Sequence, residues 1–290
     1  MAYLSRRRTK GEVTFECVNG FVMVLLSFTT LYPFLFLIFQ SLGNSASISF
    51  LPREFETAAY ATVFKNSYIW SGFRNTIWRT AVGTVLSVLV TTSGAYALSK
   101  TWFPNRRFWT GFIVFTMFFS GGLIPSYLLM KGLGLYNSFW AMILPGLCSA
   151  YNLTIMRNFF MGIPNELEES AKIDGANDIQ IMLRIVVPIS LPIIATISLW
   201  NAVGHWNAWF DCMIYITEPR NQVLQLILRH IVIEGTSQYM NFTGTMDTGT
   251  YTPEAVKAAS TIVATLPILL AYPFIQKYFV KGVIVGSLKG

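Results

Sequence analysis

The feature that most constrains this chain is the length of its uncharged apolar runs. No Asp, Glu, Lys or Arg interrupts the stretch from Val18 to Phe39, and Thr80 to Ser99 is equally free of charge. A run of about 20 apolar residues is what an α-helix needs to cross the hydrocarbon of a bilayer. Charged residues make up 12% of the chain and apolar ones 53%. That is about half the charged share of a soluble domain, too little polar surface for a water-soluble fold. In hydrocarbon every backbone donor and acceptor must find its partner inside the chain, a condition helices meet and open strand edges do not. The sequence therefore predicts an all-α integral membrane protein, one transmembrane domain over residues 1–290.

The same length test predicts six spans, near residues 18–39, 73–99, 108–130, 139–159, 185–216 and 258–277. Arg6, Arg7, Arg8 and Lys10 precede the first run in the manner of a secretory signal, and Ser45-Ala46-Ser47 would serve as a cleavage site. The run is longer than the roughly 7–15 residues of a signal core, so it reads as a retained span. With the N-terminus inside, thirteen Lys and Arg fall on the inner side and eight on the outer. The positive-inside rule then puts both termini, and residues 163–188, in the cytoplasm. Two outer segments remain, 40–72 and 217–253. The second holds an amphipathic piece, Val223–Ile233, and a Gly/Thr/Ser-rich part. Asp247 in that part lacks the oxygen ligands of a calcium loop and reads as a turn residue.

Catalytic constellations are missing from the sequence. The net charge of +7 belongs to scattered basic loops, with no basic patch interleaved with aromatics to suggest nucleic acid. Cys17, Cys148 and Cys212 lack metal-ligand spacing and read as packing residues. His205 and His230 are the only histidines. Ser99-Lys100-Thr101 echoes the end of a phosphate-binding loop but lacks the preceding glycine. The chain is expected to hold no cofactor, metal or nucleotide of its own.

Polar residues do occur in the fifth predicted span. On a helix advancing about 100° per residue, Trp200, Asn207 and Asp211 share one narrow face, with Gly204 beside it and Asn201 and His205 toward the next. Tryptophan rings stack on the apolar faces of sugars while amides and carboxylates take hydroxyls, so this face reads as a sugar pathway. The competing reading makes Asn201 and Asn207 interhelical hydrogen bonders and the tryptophans membrane-interface residues. Arg74 and Arg79 either attract an anionic substrate or snorkel to headgroups.

The remaining oddity is a polar insert, residues 163–188, between two apolar stretches. Four of the fourteen acidic residues lie between Glu166 and Asp174. Asn165 is placed to cap a helix with Glu168 at its N3 position, a near capping box. Glu166, Glu168 and Glu169 suit the positive end of the helix dipole. Gly175 reads as a left-handed stop. Asn177 or Asp178 would cap a second short helix over 179–187, which Pro188 and Pro192 bend into the fifth span. A capped helix carrying the small residues Ser170 and Ala171 suits docking into another protein's groove; an ordinary amphipathic connector is the alternative.

Glu169-Ser170-Ala171, with Gly175 four positions on and Ile185 to Pro188 downstream, closely resembles the "EAA" coupling motif of bacterial ABC importer permeases. The surrounding residues are similar to the carbohydrate branch of that group, the maltose-type permeases, with Ser170 in place of the usual alanine. The tail from Phe279 to Gly290 resembles the same family's C-terminus. The segment Gly204 to Asp211 and the enlarged outer loop look like those of oligo- and polysaccharide permeases, including an alginate importer's. The resemblance implies the type I importer permease fold. It also implies coupling to an ATPase through Asn165, Glu169, Ser170, Ala171, Asp174 and Gly175. The partners it implies are a second homologous permease, two cytoplasmic ABC ATPase subunits binding ATP and Mg, and an extracytoplasmic sugar-binding protein. The rival is a secondary carrier or membrane scaffold. A carrier is expected to show inverted repeats and interrupted helices, and no repeat occurs in the sequence.

Overall fold

In the computed structural model the described residues are 9–43, 55–234 and 252–287. They are helical nearly throughout. The chain divides into two compact units, Met1–Lys65 with Phe242–Val263, and Asn66–Asn241 with Ala264–Gly290.

In the first unit, α1 (Lys10–Ser41) opens with a capping box between Thr9 and Glu12. Many of its apolar side chains, among them Phe21, Leu25 and Phe34, are more than half exposed. Such a surface aggregates in water and is solvated by lipid. The short α2 (Ala58–Lys65) is tied back to the end of α1 by the hydroxyls of Ser41 and Tyr60, 2.7 Å apart. Ser45–Ser47 and Asp247 lie outside the described residues, as do Arg6–Arg8 and the last residues of the tail.

The second unit is built on α3 (Ser67–Ser99), an unbroken helix of 33 residues. Asn66 caps it, its side chain accepting from the Tyr68 amide. Gly72, Thr76, Gly83, Ser87, Thr91 and Ala95 form a buried stripe of small residues along it, the device by which membrane helices approach closely. The helices that follow are α4 (Arg106–Phe118), α5 (Leu123–Gly132), α6 (Ala150–Met161), α7 (Glu166–Ile173), α8 (Asp178–Ile189) and α9 (Leu191–Asn207). Then come α10 (Phe210–Tyr215) and α11 (Leu224–Arg229); the last helix, α12 (Pro253–Ser287), belongs to the first unit up to Val263 and to the second from Ala264. Helix α3 packs mainly on α9, α6 and α11.

Among the described residues, three helices are long and apolar enough to cross a membrane alone, and three bent pairs, each counted as one span, bring the number to six. With each bent pair taken as one span the number agrees with the six expected, while the expectation of six continuous helices is corrected. The third span breaks by 116° between α4 and α5, the fourth by 49° before α6, and the fifth by 84° between α8 and α9. Each break has a local cause. Gly122 takes φ 87°, Pro145 opens a 3-10 turn over Leu144–Gly146, and Pro188 and Pro192 flank the buried Ser190. Proline removes a donor and clashes with the carbonyl four residues back, and α8 absorbs this in a π turn over Met182–Val186. The second span also begins earlier than expected, at Ser67 rather than residue 73.

The amphipathic Val223–Ile233 piece folds as expected, with Val223, Leu224, Leu226, Ile227 and Ile231 buried. Its approach is held by α3: the Asn75 side-chain amide donates to the carbonyls of Arg220 and Gln222, and Thr76 accepts from the Leu224 amide at 2.9 Å. Of the cysteines, Cys212 is buried and its Sγ accepts from the Val223 amide, but Cys17 and Cys148 are exposed. Packing explains the first and not the other two.

Candidate functional site

Two places in the second unit gather polar groups: the loop carrying α7, and a cavity at the breaks in the third, fourth and fifth spans.

The α7 helix ends as its sequence demands. Gly175 adopts φ 83°, its amide donates to the Lys172 carbonyl, and the Ala176 amide donates to the Ala171 carbonyl. These two bonds make a Schellman stop, which favours glycine because a Cβ is strained at positive φ. The second helix is capped by Asn177, whose side chain and that of Gln180 exchange hydrogen bonds with the two backbones. The first helix departs from expectation. Asn165 has helical backbone angles and makes no side-chain cap, so the capping box of Asn165 and Glu168 is absent. Glu168 turns inward instead and pairs with Lys100, each side chain 9% exposed. A buried ammonium is a stronger partner for a carboxylate than an amide at a helix end. Ile163, Ile181 and Val186 seat the loop in a core with Ala95, Leu153, Phe160 and Ile197, with Ala171 and Ala176 packed against it. The opposite side of α7 is open: Glu166, Leu167, Glu169, Ser170 and Ile173 are exposed, Ile173 by 87%. Asn165 and Asp174 are exposed beside them. That side of α7, on a helix fixed from behind, thus presents Leu167 and Ile173 among carboxylates.

The cavity, about 430 Å³, is lined by Arg79, Ser120, Gly122, Ser126, Pro145, Gly146, His205 and Asp211 among others. Irregular backbone at membrane depth is tolerated where it lines a cavity, and all three broken spans supply that wall. Arg79 is its electrostatic centre, 3% exposed and paired with Asp211. It also donates to the carbonyls of Ala208, at 3.3 Å, and Met142, at 3.2 Å. Neither expectation for Arg79 holds: it neither snorkels nor stands free to attract an anion. Arg74, by contrast, is exposed.

The single-face reading of Trp200, Asn207 and Asp211 is corrected by the fifth span's second break. Helix α9 ends at Asn207, Ala208 is extended, and α10 starts afresh at Phe210. His205 and Asp211 line the cavity. Trp200, Gly204 and Asn207 are exposed, and Asn201 is half-buried. The amides of Asn201 and Asn207 donate to carbonyls of their own helix, Ile197 and Val203, both at 3.0 Å. Trp200 lies 6.2 Å from the Tyr151 ring.

His205 presses its imidazole on Gly83, where a Cβ would stand 2.5 Å from Nε2. Gly83→Ala should therefore displace the ring and cost about 1–3 kcal/mol, the range for overpacking a filled site. Thermal unfolding of the detergent-solubilised protein reads this directly, and an unchanged midpoint would show that the ring is free to move aside.

The sequence reading does not anticipate the two buried ion pairs, Lys100 with Glu168 and Arg79 with Asp211. A rule visible in the sequence pointed to Arg79: an ionisable group within a span seeks an opposite charge, and Asp211 is the acid of the fifth span.

Comparison with known proteins gives concordant results. Residues 106–285 match the family model "Binding-protein-dependent transport system inner membrane component". The chain is 40% identical to the polygalacturonan/rhamnogalacturonan transport system permease protein YtcP of Bacillus subtilis, over 94% of this chain and 97% of that one. It is 38% identical to protein LplC of the same organism, over 97% of each. Among solved structures it resembles a chain of a bacterial ABC transporter involved in the import of the acidic polysaccharide alginate. The TM-score is 0.89 at 32% identity, covering 95% of this chain and all of that one.

Proposed function

This chain belongs to the family of binding-protein-dependent transport inner membrane components, and from that premise we propose that it is one permease subunit of an ATP-driven importer of oligo- or polysaccharides. It forms half of the translocation pathway and couples that pathway to cytoplasmic ATPases. The observation that carries the reading is α7: a helix stopped at Gly175, seated from behind by the core, and open on the side that bears Glu169, Ser170 and Ile173. Both termini and this loop lie in the cytoplasm on this reading.

The partners are a second homologous permease, two ABC ATPase subunits that bind ATP and Mg, and an extracytoplasmic sugar-binding protein. Asn165, Glu169, Ser170, Ala171, Asp174 and Gly175 form or hold the surface that meets the ATPase. The polysaccharide substrate is supported by the relatives, whose names specify polygalacturonan/rhamnogalacturonan and alginate. His205 and Asp211 at the cavity, with Trp200, Asn201, Gly204 and Asn207 along α9, are the candidates for the sugar's path.

Mild solubilisation of a tagged chain tests the reading. An ATPase should co-purify, and its hydrolysis should rise when the binding protein is added with its sugar. A Trp200→Ala complex should keep this stimulation and lose uptake, because the ring is removed from the path and α7 is untouched. A complex that never contains an ATPase would overturn the proposal.

A further inference from the structure

We propose that the buried Lys100–Glu168 pair locks α7 to the end of α3, making α3 the rigid element that carries α7's movement to the Arg79–Asp211 pair at the cavity. The inference rests on the reading that α7 meets an ATPase.

Glu168 is the one buried residue among the eight of α7, so beside the packing of Ala171 on the core its carboxylate is the polar tie that holds the body of that helix down. Lys100 is the first residue beyond α3 and is itself held in place. Its ammonium lies 4.6 Å from the centre of the Tyr96 ring. Arg157 donates to the Leu98 carbonyl at 2.9 Å and Arg106 to that of Ser99 at 3.3 Å. Cations at a helix C-terminus satisfy its open carbonyls and its dipole, so this end of α3 is fixed from several sides. The nearby Lys172–Asp178 pair differs, being 3.5 Å apart and nearly half exposed. An exposed pair exchanges freely with water and contributes little, whereas a buried pair does not separate without stranding a charge.

The length of α3 beyond the lock gives it its meaning. From Ser99, next to Lys100, back to Arg79 is 21 residues of one helix without proline or break, about 31 Å at 1.5 Å per residue. The third, fourth and fifth spans bend by 116°, 49° and 84°. A broken span absorbs a displacement at its hinge; an unbroken one delivers it. Arg79 stands at the far end of that length, bonded to the Ala208 break, to Met142 and to Asp211. Lys100 and Glu168 are thus positioning residues, acting through α3 rather than on substrate.

The test uses the full complex in proteoliposomes with Glu168→Gln, Lys100→Met and the double variant Lys100→Met/Glu168→Met. Neither substitution alters the exposed side of α7, so the ATPase should co-purify and hydrolyse ATP with each single variant. Sugar moved per ATP should fall about tenfold, within the usual range of a coupling between sites. A cysteine at Ser126 on the cavity wall should change its labelling rate with ATP in the parent complex and lose that response in the single variants. The double variant removes the stranded charge and should recover thermal stability, but two flexible thioethers slide where an ion pair holds, so the sugar-to-ATP ratio should stay low. Recovery of that ratio along with stability would overturn the lock and leave a folding contact. As a check independent of folding, cysteines at 100 and 168 joined by a short bis-thiol reagent, in a chain whose native cysteines are replaced, should still transport. Arrest on cross-linking would show that the two must slide apart. Absence of an ATPase from the parent complex would defeat the functional reading itself, a separate outcome.

Discussion

Replacing Gly175 with valine should abolish sugar uptake by the assembled complex while ATP hydrolysis continues and affinity for the binding protein is unchanged. The cause is the backbone. Gly175 has φ 83°, and a Cβ there would meet nothing within 4 Å. The substitution is therefore penalised by conformation rather than by collision, by about 1–3 kcal/mol for a side chain held at positive φ. The strain is released most cheaply by undoing the Schellman bonds to Lys172 and Ala171, which re-aims the exposed side of α7. A graded series separates this from a general loss of folding. Asparagine tolerates the left-handed region best among the alternatives, alanine less well, and a β-branched residue worst. Uptake should fall in the order Asn, Ala, Val. Normal uptake by the valine complex would remove Gly175 from the coupling machinery.

The second large effect lies at the cavity. Asp211→Asn should destabilise the chain by about 3 kcal/mol, the lower end of the cost of stripping one partner from a buried ion pair. The stranded group is a guanidinium 3% exposed, and arginine cannot shed its charge. Arg79→Met leaves the milder problem of a carboxylate that is 31% exposed and still accepts from the Cys212 amide. It forfeits, however, the bonds to Ala208 and Met142. The double variant Arg79→Met/Asp211→Asn should cost less than the sum of the singles by about 2 kcal/mol, since directly bonded groups are not additive. Strict additivity in thermal unfolding would mean that the pair is not an energetic unit.

The fold was legible where hydrocarbon imposes the rule. Six spans follow from the lengths of the apolar runs, and the α7 turn follows from Gly175 with Asn177 behind it. The breaks were partly legible: Gly121-Gly122, Pro145 and Pro188 with Pro192 mark three of them, yet a long apolar run hides an internal hinge because composition alone does not register it. The break at Ala208 carried no mark. The sequence Trp206-Asn207-Ala208-Trp209 contains neither glycine nor proline, and what stabilises the open carbonyl of Ala208 is Arg79, 129 residues away. Long-range satisfaction of a backbone group is invisible to local pattern. The same holds for Glu168, which looked like a capping residue because its spacing from Asn165 was right. Its real partner came from the end of another span. The breaks also change the case against a secondary carrier. Interrupted helices are among a carrier's expected marks, and they are present in this chain, so family membership and the α7 loop carry the argument instead.

Uptake of labelled oligosaccharide into proteoliposomes holding the complex and its binding protein, with either ATP or a non-hydrolysable analogue enclosed on the α7 side, tests the central claim most directly. The account predicts accumulation with ATP, none with the analogue, and none with an ion gradient alone. Accumulation driven by an ion gradient in the absence of ATP would contradict it.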